Sequence, residues 1–128
     1  MRFAWLPLGA ALLGAAAAAQ PAPSPIAAAS AIADAMQAQL PMEMDGIVMR
    51  RVQAEGDMLV VTVELPADAT DQNRSEYVRG FMAGACESQP NPLFENRVRL
   101  RIDTYTPNSA PRQSEVFTRC PAASPGAK

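Results

Sequence analysis

The stretch IVMRRVQAEGDMLVVTVEL, residues 47–65, decides the fold. Two β-rich runs flank Glu55-Gly56-Asp57, a hairpin signal. In the second run Leu59, Val61, Val63 and Leu65 alternate with Val60, Thr62 and Glu64, so the odd positions are expected to face a core. The register can be argued from what each choice would bury. A two-residue turn at Glu55-Gly56 pairs odd with even positions and sets Arg50 in the row of Val61. A three-residue loop, Ala54-Glu55-Gly56 with the glycine left-handed, pairs Ile47 with Val63 and Met49 with Val61 and keeps Arg50 in water. Burying an unpaired arginine costs more than any turn preference supplies, so the three-residue loop is predicted.

Upstream, Ser24-Pro25 reads as a helix start, because serine caps well and proline fits the first helical position. This helix should run to about Gln39, ahead of the stop at Pro41, with Ile32, Met36 and Leu40 as its buried stripe. Downstream, PADATDQNRSEY is a loop turning into a second helix, with Asp68, Thr70 and Asp71 as candidate caps and Tyr77, Val78, Phe81, Met82 and Ala85 on its apolar face. Gly80 and Gly84 each weaken that helix by about 1 kcal/mol relative to alanine. The expected compensation is a close approach of helix to sheet.

Two more strands are expected in NRVRLRIDTYT and SEVFTRC, around a loop with Pro107, Asn108 and Pro111. Val98, Leu100 and Ile102 alternate with Arg97, Arg99 and Arg101, giving one core side and one row of guanidinium groups. The order α-β-β-α-β-β predicts an α+β domain: a four-stranded antiparallel sheet with two helices packed on one face and one disulfide.

The ends read differently. MRFAWLPLGAALLGAAAAAQ has one arginine, an apolar run and Ala17-x-Ala19, the pattern of a signal peptide over residues 1–19. A membrane anchor needs roughly 20 strongly apolar residues, and here Pro7 and the alanines intervene. Residues 20–25 are expected to be a disordered lead, 26–120 the single domain and 121–128 a disordered tail. The chain has 11 basic and 13 acidic residues, and loss of Arg2 leaves it near −3, against nucleic-acid binding. Lys128 is the only lysine and alanine abounds, which suggests a GC-rich bacterial genome and a periplasmic or secreted protein.

There are two cysteines and no histidine. In an oxidising compartment Cys86 and Cys120 most simply form one disulfide, fastening the second helix to the last strand. A redox site would want CxxC, a thiol nucleophile would want histidine, and zinc would want more ligands. Met36, Met42, Met44, Met49 and Met58 evoke thioether sites for Cu(I), but methionine also fills irregular cores. Arg97, Arg99 and Arg101 are candidate binders of an anion or acidic partner, set against a solvated face neutralised by Glu64, Asp103 or Glu115. Glu43 and Asp45 could in principle do acid/base work but fall in an expected loop, and no Ser-His pair, phosphate loop or metal cluster appears.

The helix ending in QLP (39–41), the hairpin, the run from Cys86 through proline and leucine to RVRLRIDTY (97–105) and the closing RC (119–120) resemble small exported bacterial proteins of uncharacterised function with a helix-and-hairpin plan and a C-terminal cysteine pair. The resemblance implies a binding or accessory role and carries across only Cys86 and Cys120. The expectation is therefore a non-catalytic module, without cofactor or metal, that binds a protein partner in the cell envelope through its sheet face or an edge strand. It is not expected to stay inserted in a membrane after signal cleavage. An inhibitor of an exported enzyme is the alternative, and a methionine-based copper carrier ranks third.

Overall fold

The computed structural model describes residues 23–87 and 91–121. The expected signal peptide, most of the proline-rich lead and nearly all of the expected tail lie outside the described residues. In chain order the elements are α1 (Pro25–Gln37), β1 (Met42–Met44), β2 (Ile47–Glu55), β3 (Met58–Glu64), α2 (Asp71–Ala85), α3 (Pro92–Glu95), β4 (Arg99–Tyr105) and β5 (Arg112–Gln113). The strands form one sheet in the order β1-β2-β3-β4-β5.

The α+β class and the disulfide hold, but the four-stranded antiparallel sheet is corrected to a five-stranded mixed one. β3 and β4 run parallel, Met58 opposite Arg99 and Glu64 opposite Tyr105. A parallel neighbour requires a crossover, and α2 supplies it. The chain leaves the end of β3, returns along α2 and re-enters beside β3 in the same direction. The second correction concerns the closing strand. SEVFTRC does not form a full hairpin arm: β5 is Arg112–Gln113, and beyond it Ser114 bonds Ile102 and Phe117 bridges back to Leu100.

A fifth strand comes from MEMDG. Asp45 (φ 54°) and Gly46 (φ 79°) both take left-handed backbone, as a type I′ turn demands, and Met42–Met44 folds back on Ile47–Met49. The β2–β3 turn is a two-residue one at Gly56-Asp57, with Gly56 at φ 63° and Glu55 opposite Met58. This differs from both registers considered from the sequence. It pairs Val52 with Val61 and Ala54 with Leu59, and a β-bulge between Met49 and Arg51 then brings Met49 opposite Val63. Arg50 is the extra residue. The physical expectation, arginine in water and the apolar residues inside, is met by a bulge instead of a longer loop.

One core results. Leu59, Val61, Val63 and Leu65 meet Val52 from β2, Val98, Leu100 and Ile102 from the β4 side, Ala28, Ala29 and Ala33 from α1 and Met82 from α2. Both helices thus serve the same face. α1 begins where expected, Ser24 Oγ accepting from Ala27 N–H at 3.1 Å, but its most buried residues are alanines, with Ile32, Met36 and Leu40 packed at the margin. Small residues let this helix lie close to β2. Past the end of β1, the Val52 amide would have no strand partner; it donates to Gln37 Oε1 at 2.9 Å. The central strand is buried on both sides, Val60 being 1% exposed on the face away from the helices.

Candidate binding groove

α2 starts in a capping box. Thr70 Oγ1 accepts from Asn73 N–H (3.1 Å) and Asn73 Oδ1 from Thr70 N–H (2.9 Å). From there Arg74, Val78, Met82 and Cys86 recur every four residues, so they form one stripe along the helix. This stripe is one wall of a groove of about 930 Å³. The other wall is Ile102 and Thr104 of β4 together with the limb from Arg112 to Phe117 and Pro121.

The limb is held to β4 by substitution of a side chain for a strand. Ser114 N–H donates to Ile102 O and Ser114 Oγ accepts from Ile102 N–H, both at 2.9 Å, while Leu100 and Phe117 exchange backbone bonds at 2.9 and 2.8 Å. Glu115 and Val116 stand out of the ladder between these attachments, and Val116 is 41% exposed.

Both ends of the groove are tied. At one end the Cys86–Cys120 disulfide joins the C-cap of α2 to the limb. At the other Asp71 Oδ1 meets Arg112 Nη1 at 2.6 Å. Between the ties the floor is apolar: Met82 and Ile102 are buried, and Val78 and Phe117 are half-buried. Arg74 lies near the ionic end and is only 9% exposed. Its guanidinium donates to Thr104 O (2.8 Å), Thr104 Oγ1 (3.4 Å) and Ser109 Oγ (2.9 Å), fastening α2 to the end of β4 and the loop beyond it. Sequence reading missed Arg74, although it falls one turn before Val78 on the apolar stripe, which is the signal that it must reach inward.

The predicted arginine row is placed as follows. Arg97 precedes β4 with left-handed backbone (φ 60°) and does not join the strand. Arg99 pairs with Asp57 at 2.7 Å, and Arg101 with Asp103 at 2.8 Å. The row therefore has two strand members, each engaged within the chain. The Arg101–Asp103 pair is only 14% and 12% exposed, registered beside Val60 and Thr62, and the hydrogen bond to Asp103 raises the Arg101 pKa. Gly80 and Gly84 correct another expectation. They lie on the exposed side of α2, and a Cβ at either would meet nothing within 4 Å, so they do not serve close packing.

The methionines divide. Met42 and Met44 are exposed on the edge strand, Met36 and Met49 pack against the core, and Met58 is buried on the opposite face of β3. Among the described residues no three His, Cys, Asp or Glu side chains are grouped to hold a metal ion, and no helix is long and apolar enough to cross a membrane. On the flank of α2 away from the groove a hollow of about 380 Å³ is rimmed by Asp45, Asp68 and Glu76 beside Tyr77, whose phenol is pushed to higher pKa by burial. The larger groove offers apolar area and arginine beside a covalent tie.

Solved structures share this architecture. EpsS, the pilotin of the Vibrio vulnificus type 2 secretion system, superposes with a TM-score of 0.66 at 17% identity, over 77% of this chain and 94% of its own. The type II secretion pilotin AspS of Vibrio cholerae gives 0.62 at 14% identity, over 74% and 89%. A Pseudomonas aeruginosa protein described as secreted gives 0.55 at 17%, over 76% and 95%. At these identities the likeness is one of fold. No protein-family model matches the sequence, and no curated protein matches it.

Proposed function

We propose that this chain is an exported, non-catalytic accessory protein that holds an apolar segment of a partner protein in the groove between α2 and the C-terminal limb. The observation that carries this reading is the groove itself, apolar along its floor and tied across at both ends. Fixing the walls before binding lowers the entropy cost of association. The leader at residues 1–19 supports export, and the pilotin fold supports a role beside an envelope secretion machine. The outer sheet face is a weaker candidate, because Arg99, Arg101 and Arg50 there are engaged by Asp57, Asp103 and Glu64.

Site-specific photo-cross-linking in cells tests the reading. A benzophenone side chain at Ala83, on the groove rim, is expected to form an adduct with an envelope protein, whereas one at Arg51, on the outer face, is not. Adducts from Arg51 and none from Ala83 would move the binding site to the sheet.

A further inference from the structure

Building on that groove, we infer that it is directional: the partner segment presents a carboxylate to the arginine end and apolar side chains to the disulfide end. The groove is lined by Arg74, Arg79 and Arg112 against only Asp71 and Glu115. Arg74 is buried, yet its three hydrogen-bond acceptors among the described residues are neutral oxygens. Its nearest carboxylate, Asp71, stands 3.9 Å from Nε and is held more closely by Arg112 at 2.6 Å. A guanidinium has five N–H donors, so Arg74 has capacity beyond the three bonds that it makes. Arg79, exposed five residues further along and near the middle of α2, has no ion pair among the described residues.

A carboxylate entering here gains charge-assisted bonds where water is already partly excluded. Lysine or arginine at the same place would face like charge. Toward the opposite end the lining is Met82, Cys86, Phe117 and Pro121, none of them charged. α2 runs for 15 residues between the two ties, about 22 Å at 1.5 Å per residue, a length that a polypeptide segment spans. The groove is open along its mouth, and Ser75, Gln113 and Ser114 line it with polar groups, which suits a peptide more than a buried acyl chain. The sequence AASPGAK, 122–128, offers no large apolar side chain for such a floor.

The test is selection of an mRNA-displayed library of random 16-residue peptides on disulfide-intact protein. Wild type, Arg79→Glu and Ala83→Trp are used, with folding checked by circular dichroism; both substituted positions are exposed. Wild-type winners should be amphipathic with Asp or Glu at one end and should bind Ala83→Trp at least about tenfold more weakly. Arg79→Glu should replace part of that acidic bias with Lys or Arg. Winners that are lost on Ala83→Trp but show no acidic bias, and an unchanged selection on Arg79→Glu, would overturn the inference while leaving the groove as the binding site. Winners indifferent to Ala83→Trp would remove both readings. Displacement of an environment-sensitive fatty acid by palmitate, with no peptide enriched, would assign the groove to lipid and overturn the inference.

Discussion

The guanidinium of Arg50 stands 2.7 Å from the carboxylate of Glu64, at the point where the β2–β3 ladder takes its irregular step. Arg50 and Arg51 both lie outside, while Met49 and Val52 on either side of them turn inward. Deleting Arg50 should therefore regularise the strand without reversing any side chain, since Met49 would then follow Arg51 directly in the pairing with Val63. The expected cost is small, because an exposed ion pair contributes little to stability. Urea denaturation measures it; loss of cooperative unfolding would mean that the bulge's extra twist is itself required.

Gly80→Ala and Gly84→Ala should each stabilise the protein. Alanine favours a helix by about 0.8–1 kcal/mol over glycine, and neither new Cβ meets another atom. Thermal melts of the single and double variants should show additive increases. A decrease at either position would reveal a contact to that flank of α2.

Replacing both Cys86 and Cys120 by serine should remove about 4 kcal/mol, the chain-entropy value for a loop closed over a separation of 34 residues. Guanidinium titration of the oxidised protein and the double variant gives the difference. Beyond stability, hydrogen exchange should rise in the last turn of α2, which loses its covalent anchor.

Burial raises the Tyr77 pKa above its ordinary value of 10.0. The folded state then keeps the phenolic proton after the unfolded chain has begun to lose it. This contribution is fully present below pH 10 and disappears as pH rises through the folded pKa. Tyr77→Phe should flatten the loss of stability as pH rises above 10.0, with little change in its pH dependence near neutrality. Denaturant midpoints across that range provide the check; an unaltered slope would place the phenol in water.

Local signals carried α1, with Ser24 as cap, α2, with Thr70 among three candidate caps, the odd face of β3, the even face of β4 and the cysteine pair. Each rests on residues within a few positions of one another or on a redox rule. The stretch around Asp45-Gly46 reads as a loop although Asp-Gly between β-forming residues is a strong hairpin signal, because its strands are only three residues long and Met42 and Met44 are exposed. Parallel pairing of β3 with β4 is a different matter. Alternation along RVRLRIDTY states which side chains turn inward, not which way the strand runs, because both directions satisfy period two. The groove combines α2 with a limb whose attachment to β4 depends on Ser114 acting in place of strand residues, a tertiary event with no local signature.

The parallel step also has a consequence in time. When synthesis has reached Glu64, β1, β2 and β3 can already form a meander, but the far side of β3, with Val60, Val61 and Val63 among the most deeply buried residues of the finished protein, still lacks a neighbour. That neighbour arrives only with Arg99–Tyr105, after an entire helix has been made. The nascent chain therefore carries a naked valine-rich border that invites pairing with other chains, and its safe passage depends on whatever shields that border until the second half catches up.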